Sequence, residues 1–317
     1  MSGRHVLALS GGVGGAKLAA GLAAVLPPED LTLVVNTGDD FEHLGLTICP
    51  DIDSVTSALA GLNDTQRAWG VPGETWQAMA MLRALGEADW FNLGDRDLGM
   101  HIARSWRLRS GDSLSAVTAR LTRELGIAHA IVPMSDTPVR TQIGTTEGWL
   151  DFQRYFVAEQ CRPVATGIRF EGAPAAAPSP GLARALARKD LAAIVVCPSN
   201  PYLSVDPILA VNGVREALEQ RRVPLVAVSP LVGGTAVKGP LAKLLGELGQ
   251  PVSNHSIAAH YGGLLDHLVI DTSDAADAED LRGAGVCVTV TGTVMCEAED
   301  RERLARVALS AARIETG

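Results

Sequence analysis

The chain has 317 residues, of which 47% are hydrophobic and 20% are charged, and this balance indicates a folded globular protein rather than a disordered one. Its formal net charge of −9 argues against broad nucleic-acid binding, because that activity needs a basic surface to neutralise phosphates. The five cysteines are scattered, and neither a signal peptide nor an apolar run of about 18 residues is recognisable, so we expect a cytoplasmic protein with reduced thiols.

The first 35 residues have the pattern of a strand, a glycine turn, a helix and a second strand. Residues 5–9 and 31–35 are the apolar strand candidates, and 16–26 has the apolar spacing of a helix that ends before Pro27. The second strand is apolar without alternation, which is typical of a strand buried on both faces of a parallel sheet. This order predicts the start of a doubly wound α/β fold.

The middle of the chain is predicted to be mostly helical, with helices at 54–62, 74–85, 98–106 and 113–125. A core strand is predicted at 130–133, followed by short antiparallel pieces at 141–143, 149–156 and 166–170. The segment 171–181 is rich in proline and alanine, which favours a surface loop. Strands predicted at 193–197, 224–228, 268–271 and 286–289 then alternate with helices at 213–220, 241–246 and 300–314.

Strand patterns occur near both ends of the chain, so we expect both ends to build one sheet. The predicted fold is therefore α/β, with a Rossmann-like, mostly parallel sheet, helices on both faces, and a helical and small β insertion. The expected core comprises residues 1–53 and 186–317, and the expected insertion comprises residues 54–185.

A glycine turn follows the first strand, at the edge where sheets of this kind bind ligands. Its glycines permit positive φ and close backbone approach, so that amide groups and the helix N-terminus could face a phosphate. The alternative is a tight turn that only brings helix and strand close together, with the lysine facing solvent. The candidate phosphate-binding residues are Ser10, Gly11, Gly12, Gly14, Gly15 and Lys17.

A polar and acidic segment follows the second strand, with Asn36, Thr37, Asp39, Asp40, Asp51 and Asp53. Clustered carboxylates repel one another unless a proton or cation intervenes, so these oxygens are candidate ligands for Mg²⁺. For Asp40 and Asp51 a role in a turn or helix cap is an equally good interpretation. Asp53 could cap a helix beginning at Ser54, which would not exclude metal binding.

Two segments of the predicted insertion carry further candidates. Arg96 lies between Asp95 and Asp97, an arrangement that is also typical of a self-paired surface turn. Trp69 and Trp76 flank a short loop, where they could stack on a planar ring or belong to the core.

Two later strands are followed by small polar groups and glycines that would suit a second wall of a nucleotide site. Ser199 and Asn200 follow one strand, and a segment that contains Gly233 and ends at Lys238 follows the other. Each segment could also be an ordinary turn. No local arrangement nominates a serine or cysteine nucleophile with a histidine base, which favours direct, metal-assisted transfer over covalent catalysis.

Two other classes of function fit part of this pattern. A nicotinamide-dependent oxidoreductase would also begin with a strand, a glycine turn and a helix, but it would bind NAD without a metal. A non-catalytic nucleotide-binding protein would explain the glycine turn but not the combination of Asp39, Asp53 and Arg96.

Taken together, the motifs resemble those of the 2-phospho-L-lactate transferase family of coenzyme F420 biosynthesis, also called LPPG:Fo transferases. The motifs occur in the family's order along nearly the whole chain: SGGVGGAK, VVNTGDD, ICPDIDSV, RAWGVPGETW, LGDRDL, HIARS, PMSDTPVRT, PSNPYLS and VSPLVGG. Each motif is weak alone, whereas the ordered set is specific.

The resemblance implies an enzyme that transfers a phospholactyl, enolpyruvyl-phosphoryl or phosphoglyceryl group. The donor would be linked to guanosine diphosphate, the acceptor would be the ribityl hydroxyl of the deazaflavin Fo, and GMP would be released. The glycine turn, Ser199, Asn200 and the Gly233 region would contact the nucleotide, while Asp39 and Asp53 would bind Mg²⁺. Asp53 and Arg96 would also contact Fo, in a site completed by the insertion. The resemblance further implies a homodimer.

Overall fold

The structure, a computed structural model, describes residues 4–62, 73–237 and 239–315 of the chain. Its strands in chain order are β1 (His5–Ser10), β2 (Leu31–Val35), β3 (Phe41–His43), β4 (Leu46–Ile48), β5 (Ala130–Pro133), β6 (Arg140–Thr145), β7 (Gly148–Asp151), β8 (Gly167–Glu171), β9 (Leu191–Val196), β10 (Leu225–Val228), β11 (Leu231–Val232), β12 (Thr235–Ala236), β13 (His267–Ile270) and β14 (Cys287–Val290).

The α-helices in chain order are α1 (Gly12–Val25), α2 (Pro50–Leu59), α3 (Gln77–Ala84), α4 (Asp95–Arg109), α5 (Leu114–Glu124), α6 (Pro180–Leu186), α7 (Asp206–Ala210), α8 (Val214–Glu219), α9 (Leu241–Glu247), α10 (Asn254–Tyr261), α11 (Asp277–Gly283) and α12 (Ala298–Ala311). Short 3₁₀ or π turns connect several of them, and the turn Pro201–Val205 borders the site described below.

Seven strands form the central sheet, in the order β14-β13-β10-β9-β1-β2-β5, and all of its pairings are parallel. From β1 the chain builds outward through β2 and β5, then crosses over to β9 and builds outward on the other side. The strand order therefore reverses between β1 and β9. In doubly wound sheets this point opens a crevice at the carboxyl ends of the strands.

Apolar side chains cover both faces of the sheet, as the unalternating strand patterns predict. In β1, Leu7 and Leu9 belong to one buried cluster, whereas Val6 and Ala8 belong to the other. Helices α1, α2 and α12 contribute to the second cluster, and α6 to α11 contribute to the first. Burial on both faces holds the carboxyl ends of the strands in fixed relative positions.

Three smaller sheets lie outside the central one. They are the hairpin β3–β4, the hairpin β11–β12 and the antiparallel sheet β7-β6-β8. The predicted α/β class, the parallel sheet with helices on both faces and the small β additions are thus confirmed. The division into a core and an insertion at 54–185 stays a prediction, and β5, from within that range, pairs with β2 in the central sheet.

Two predicted segments differ from the structure. The predicted strand at 149–156 ends at Asp151, and a π turn, Arg154–Ala158, follows. Phe152 and Tyr155, three residues apart, both reach one apolar cluster, and this spacing suits a helical turn. Segment 171–181 is not all surface loop, because Ala173 and Ala176 are buried and α6 begins at Pro180.

The start of α2 also differs from the prediction. The helix begins at Pro50, four residues before the predicted start at Ser54, and Cys49 is its N-cap. Proline is favoured at the first helical position because its fixed φ suits the helix and its missing N–H would be unpaired there. Asp53 is therefore inside the first turn, and its predicted capping role is wrong. In the described ranges, no helix is long and apolar enough to span a bilayer.

Candidate active site

The glycine turn and the segment after β9 meet at the point where the strand order reverses. The backbone N–H of Gly11 donates to Oγ of Ser199 at 3.2 Å, and this hydroxyl donates to the carbonyl oxygen of Gly11 at 2.8 Å. Ser199 is 4% exposed. The two segments are therefore in contact, and the buried hydroxyl of Ser199 makes both hydrogen bonds to the glycine turn.

Close packing explains three of the four glycines in the turn. A β-carbon on Gly14 would lie 2.5 Å from the carbonyl oxygen of Pro198, and one on Gly15 would lie 2.6 Å from Oγ of Ser199 and 2.7 Å from Oγ of Ser10. A β-carbon on Gly11 would meet Ser204. Gly12 instead has open space but a φ of +66°, the region that favours glycine.

Asp51 and Asn36 connect the glycine turn to the loop after β2. The N–H of Gly12 donates to Oδ1 of Asp51 at 2.8 Å, and Nδ2 of Asn36 donates to Oδ2 of Asp51 at 2.9 Å. Nδ2 of Asn36 also donates to the carbonyl oxygen of Leu203 at 3.2 Å, and its Oδ1 accepts the N–H of Gly38 at 2.7 Å. Asn36 is fully buried, and its side chain joins α2, the loop after β2 and the turn after β9.

Asp39 and Asp40 are buried carboxyl groups whose hydrogen bonds are incomplete. They are 7% and 4% exposed, and Oδ1 of each is buried without a hydrogen-bond partner in the part of the chain that the structure describes. Burial, then repulsion by Asp51, raises the pKa of Asp39 well above its usual value. Burial raises the pKa of Asp40 to about 7, although Arg140 opposes the shift. Both carboxyl groups are therefore protonated more readily than an ordinary aspartate.

The pKa of Asp51 is also raised, but less than that of Asp40. Burial raises its pKa to about 6, while hydrogen bonds from Asn36 and Gly12 lower it and Asp53 raises it further. The carboxyl groups of Asp39, Asp40, Asp51 and Asp53 thus influence one another, as expected for a cluster.

Asp53 differs from its neighbours because it has a cationic partner. Both of its oxygens accept hydrogen bonds from the guanidinium of Arg104, which binds Oδ2 through Nη1 at 3.1 Å and Oδ1 through Nη2. Nδ1 of His101 lies 3.6 Å from Oδ2 of Asp53. Burial lowers the pKa of His101 to about 4, so this imidazole is neutral at pH 7.

Helix α4 supplies three side chains to this part of the site. Asp97, His101 and Arg104 are spaced four and three residues apart, which places them on one face of the helix. Burial, then repulsion by Glu74 and Asp53, raises the pKa of Asp97 to about 6. Sequence reasoning assigned no role to His101 or Arg104, although their helical spacing from Asp97 was a readable signal.

Three further predicted site residues are Lys17, Thr37 and Arg96. Nζ of Lys17 donates to the carbonyl oxygen of Met295 at 2.6 Å, which directs this side chain towards the segment before α12. Thr37 is buried, and its carbonyl oxygen accepts the N–H of Asp40 at 3.3 Å. Arg96 is exposed in the first turn of α4, next to Asp97.

The segments after β9 and β10 are held by local hydrogen bonds. Oδ1 of Asn200 accepts the N–H groups of Tyr202 and Leu203, at 3.0 and 3.3 Å, and so begins the turn Pro201–Val205. The N–H of Gly233 donates to Oδ2 of Asp274 at 3.0 Å.

Two further sequence candidates, Asp95 and Trp76, lie at the starts of α4 and α3. Asp95 accepts the N–H groups of Gln77 and Ala78, at 3.0 Å each, so it stabilises the start of α3. Trp76 packs against the apolar cluster around Met79. Trp69 and Lys238 lie outside the described residues.

The acidic cluster of Asp39, Asp40, Asp51 and Asp53 is the candidate site for a divalent metal ion. Within 4–62, 73–237 and 239–315, no group of three or more His, Cys, Asp or Glu side chains is arranged to hold a metal. Mg²⁺ is usually bound through one or two carboxylates together with waters and substrate phosphates. The incompletely bonded carboxylates of Asp39 and Asp40 fit a magnesium site of this kind, and the charge of Asp53 acts on Asp40.

Fold and site together define a Rossmann-like α/β protein in which a glycine turn and a buried acidic cluster lie at the carboxyl ends of the sheet strands. The model of the family "2-phospho-L-lactate transferase CofD" matches residues 6–306. The chain belongs to this family of transferases, and the resemblance inferred from its motifs is confirmed.

Curated relatives match the chain over almost its full length. A phosphoenolpyruvate transferase from Streptomyces griseus is 39% identical over 314 residues, which cover 97% of this chain and 98% of the relative. A 2-phospho-L-lactate transferase from Methanosarcina mazei is 37% identical over 306 residues, covering 96% and 100%. The crystal structure of protein BH3568 from Bacillus halodurans has the same fold, with a TM-score of 0.64, 16% identity and coverage of 97% and 100%.

Proposed function

We propose that this protein transfers a phospho-organic acid from a guanosine diphosphate-linked donor to the ribityl hydroxyl of Fo, forming F420-0 or an analogue and releasing GMP. One bond forms between the hydroxyl oxygen and the phosphorus next to the acid, and the bond from that phosphorus to the GMP oxygen breaks. The hydroxyl loses its proton in the process. The observation that carries the proposal is the buried acidic cluster at the ligand-binding edge of a chain that belongs to this transferase family.

The chemistry of phosphoryl transfer explains why such a cluster is useful. Catalysis depends on alignment of the attacking and leaving oxygens and on neutralisation of the phosphate oxygens. Asp39 and Asp53 would hold Mg²⁺, which when bound neutralises phosphate charge and orients the diphosphate. Asn36 and the N–H of Gly12 hold Asp51, and thereby keep the loop after β2 against the glycine turn.

The donor would bind along the reversal of the strand order. We propose that the N-terminus of α1 faces the diphosphate, because helix N-termini favour anions. Ser199, Asn200 and Gly233 would form the nucleotide wall after β9 and β10, and Arg96 would contact Fo from the start of α4. We also propose that Lys17 contributes to donor binding. Its hydrogen bond to the carbonyl oxygen of Met295 links α1 to the segment before α12.

Family membership favours a transferase over the nicotinamide-dependent oxidoreductase and the non-catalytic nucleotide-binding protein that the motifs also allowed. The relatives are named for two different acids and have nearly equal identities of 39% and 37%. The proposal therefore covers phosphoenolpyruvate and phospholactate, and also phosphoglycerate, as the acid that is transferred.

The experiment combines the protein with Fo, Mg²⁺ and each of three guanylylated acids, prepared from phospholactate, phosphoenolpyruvate and phosphoglycerate. We expect a deazaflavin product and an equal amount of GMP, detected by chromatography and mass spectrometry, and both should be lost when EDTA is added. The fastest donor assigns the acid. Absence of product with all three donors, or full activity in EDTA, would contradict the proposal.

Homodimer formation is part of the same proposal, and light scattering after gel filtration measures it directly. A mass near twice the chain mass of 33.2 kDa is expected, and a mass near 33.2 kDa would contradict this part.

A further inference from the structure

Arg104 is a charged side chain enclosed by the protein. It is 1% exposed and is the largest fully buried side chain in the described residues. Besides Asp53, its Nη1 donates to the carbonyl oxygen of Thr47 at 3.4 Å and faces Nδ1 of His101 at 3.3 Å. The guanidinium therefore connects α4 with α2 and with β4. Burying a cation is costly unless its donors are paired, so this position needs a specific reason.

His101 supports Arg104 without sharing its charge. Because Nη1 of Arg104 can only donate, Nδ1 of His101 acts as the acceptor and the ring proton is on Nε2. The close approach of His101 to Asp53 is consequently not an ion pair, and the positive charge beside Asp53 comes from Arg104.

Burial shows on which side of Asp53 the arginine lies. The side chain of Arg104 is 2% exposed, whereas the side chain of Asp53 is 16% exposed. An ionised carboxylate has about four acceptor positions, and Arg104 uses two of them. The guanidinium thus lies on the protein side of Asp53 and leaves acceptor capacity on its accessible side. A planar, bidentate arginine also fixes the orientation of a carboxylate plane, which a lysine does not.

We propose that Arg104 is a positioning residue for the transfer reaction: it fixes the carboxylate of Asp53 so that its accessible oxygens face the ligand-binding crevice beside Asp39. This inference rests on the proposed function, in which Asp53 binds the metal. Groups that orient metal ligands typically change metal affinity or activity by about 10- to 100-fold when they are replaced.

The test compares Arg104→Lys with Arg107→Lys. Lysine keeps the charge and removes the bidentate geometry, so the change isolates orientation from electrostatics. Arg107 is on the same helix but pairs with Asp112 at 3.3 Å, which makes it a matched control. For Arg104→Lys we expect Mg²⁺ binding, measured by calorimetry with Mg²⁺ alone and with Mg²⁺ plus GDP, to weaken by about tenfold, together with a similar fall in kcat. Arg107→Lys should stay within twofold of the original protein in both measurements.

A second variant keeps the test decisive if Arg104→Lys does not fold. Asp53→Asn combined with Arg104→Gln removes both members of the ion pair, so neither is left without the other. If Arg104 acts through Asp53, this double variant should bind Mg²⁺ within twofold of Asp53→Asn alone. A further loss of fivefold or more would show that Arg104 acts on the site by another route and would overturn the inference.

The two proposals fail in different ways. If Asp53→Asn leaves Mg²⁺ binding and turnover unchanged, the proposed metal site is wrong. If Asp53→Asn weakens both while Arg104→Lys matches Arg107→Lys, the metal site stands and the positioning role of Arg104 is wrong.

Discussion

The acidic site has two halves, which differ in whether the carboxylates contact neutral donors or arginine side chains. In one half, Asp39 and Asp51 are buried beside neutral partners, namely the amide of Asn36 and the N–H of Gly12. In the other half, Asp53 binds the guanidinium of Arg104, and both Arg140 and Arg104 act on Asp40. Asp39 and Asp51 are thus held by neutral donors, and Asp53 is held by a cation. Asp40 is intermediate, since burial raises its pKa to about 7 although two arginines oppose the shift.

This difference separates two reasons for keeping a buried aspartate. A carboxylate with a fixed internal cation is oriented and contributes to the fold. One without such a cation is unfavourable until it is protonated or meets a ligand, which makes it a candidate for binding. We therefore expect a change at Asp39 to lower activity with little effect on stability. A change at Asp53 should lower stability as well as activity.

The largest effect is expected from Asp39→Asn. This change removes a proposed metal ligand, and we expect kcat to fall by at least about a hundredfold, equivalent to about 3 kcal/mol. The melting temperature should stay the same or rise, because the neutral amide avoids the cost of burying a carboxylate. Transfer assays and calorimetric melting check both parts, with Glu42→Gln as the control, because Glu42 is the exposed residue of the neighbouring β3. A large loss of stability with normal activity would show that Asp39 belongs to the fold.

Asp53→Asn should impair turnover and also destabilise the protein. Removing one partner of a buried ion pair leaves Arg104 insufficiently paired, and we expect the free energy of unfolding to fall by about 3 kcal/mol. Urea denaturation measures this change. The control is Asp112→Asn, which breaks the more exposed pair with Arg107 and should cost less than about 1 kcal/mol. If Asp53→Asn and Asp112→Asn lowered the free energy of unfolding equally, the distinction between the two halves would be wrong.

A smaller effect is expected in the pH dependence of stability. The folded-state pKa values of Asp51 and Asp40, about 6 and about 7, lie above the usual value of 3.8. Their stabilising contribution is therefore complete below about pH 4 and is lost as the pH rises through 6 and 7. In EDTA, we expect the free energy of unfolding to fall by on the order of 2 kcal/mol between pH 6 and pH 8.

Mg²⁺ should oppose this loss, because it competes with protons for the same carboxylates. The increase in melting temperature on adding Mg²⁺ is consequently expected to be larger at pH 8 than at pH 5. A Mg²⁺ effect that does not change with pH would show that the metal binds elsewhere.

The smallest effect is expected from Arg140→Met. Burial raises the pKa of Asp40, and Arg140 lowers it, so removing this arginine should raise that pKa further. Arg104 still acts on Asp40, so we expect the acidic limb of the pH–activity profile to shift upward by less than about one pH unit. The exposed Arg169, which lies over the ring of Trp149 in the same small sheet, provides the control Arg169→Met. A shift of equal size in both variants would contradict the specific influence of Arg140.

Local patterns were sufficient for most of the fold. The apolar runs of β1 and β2 and the spacing within α4 and α5 predicted these elements to within a few residues, because periodic apolar burial is a property of the segment itself. The start of α2 was predicted four residues too late, because Pro50 occupies the first helical position. The turn after β7 was missed because its aromatic residues pack against strands and helices far away in sequence.

The site was predictable as a set of loops but not as a set of contacts. The chain order of strands placed Gly11, Asp39 and Ser199 at one edge of a sheet, and the structure brings their segments together. The partners of each carboxylate were not readable in the same way, since Asp53 and Arg104 are 51 residues apart in the chain.

The sequence by itself therefore determined the α/β class, the glycine turn, the acidic composition of the ligand-binding edge and the family. Only the tertiary structure decided which aspartate meets an arginine and which remains without a cation. The physical reason is that strand and helix formation depend on neighbours along the chain, whereas desolvation and Coulomb interactions depend on neighbours in space, and those are set by how α4 folds back over α2 and β4.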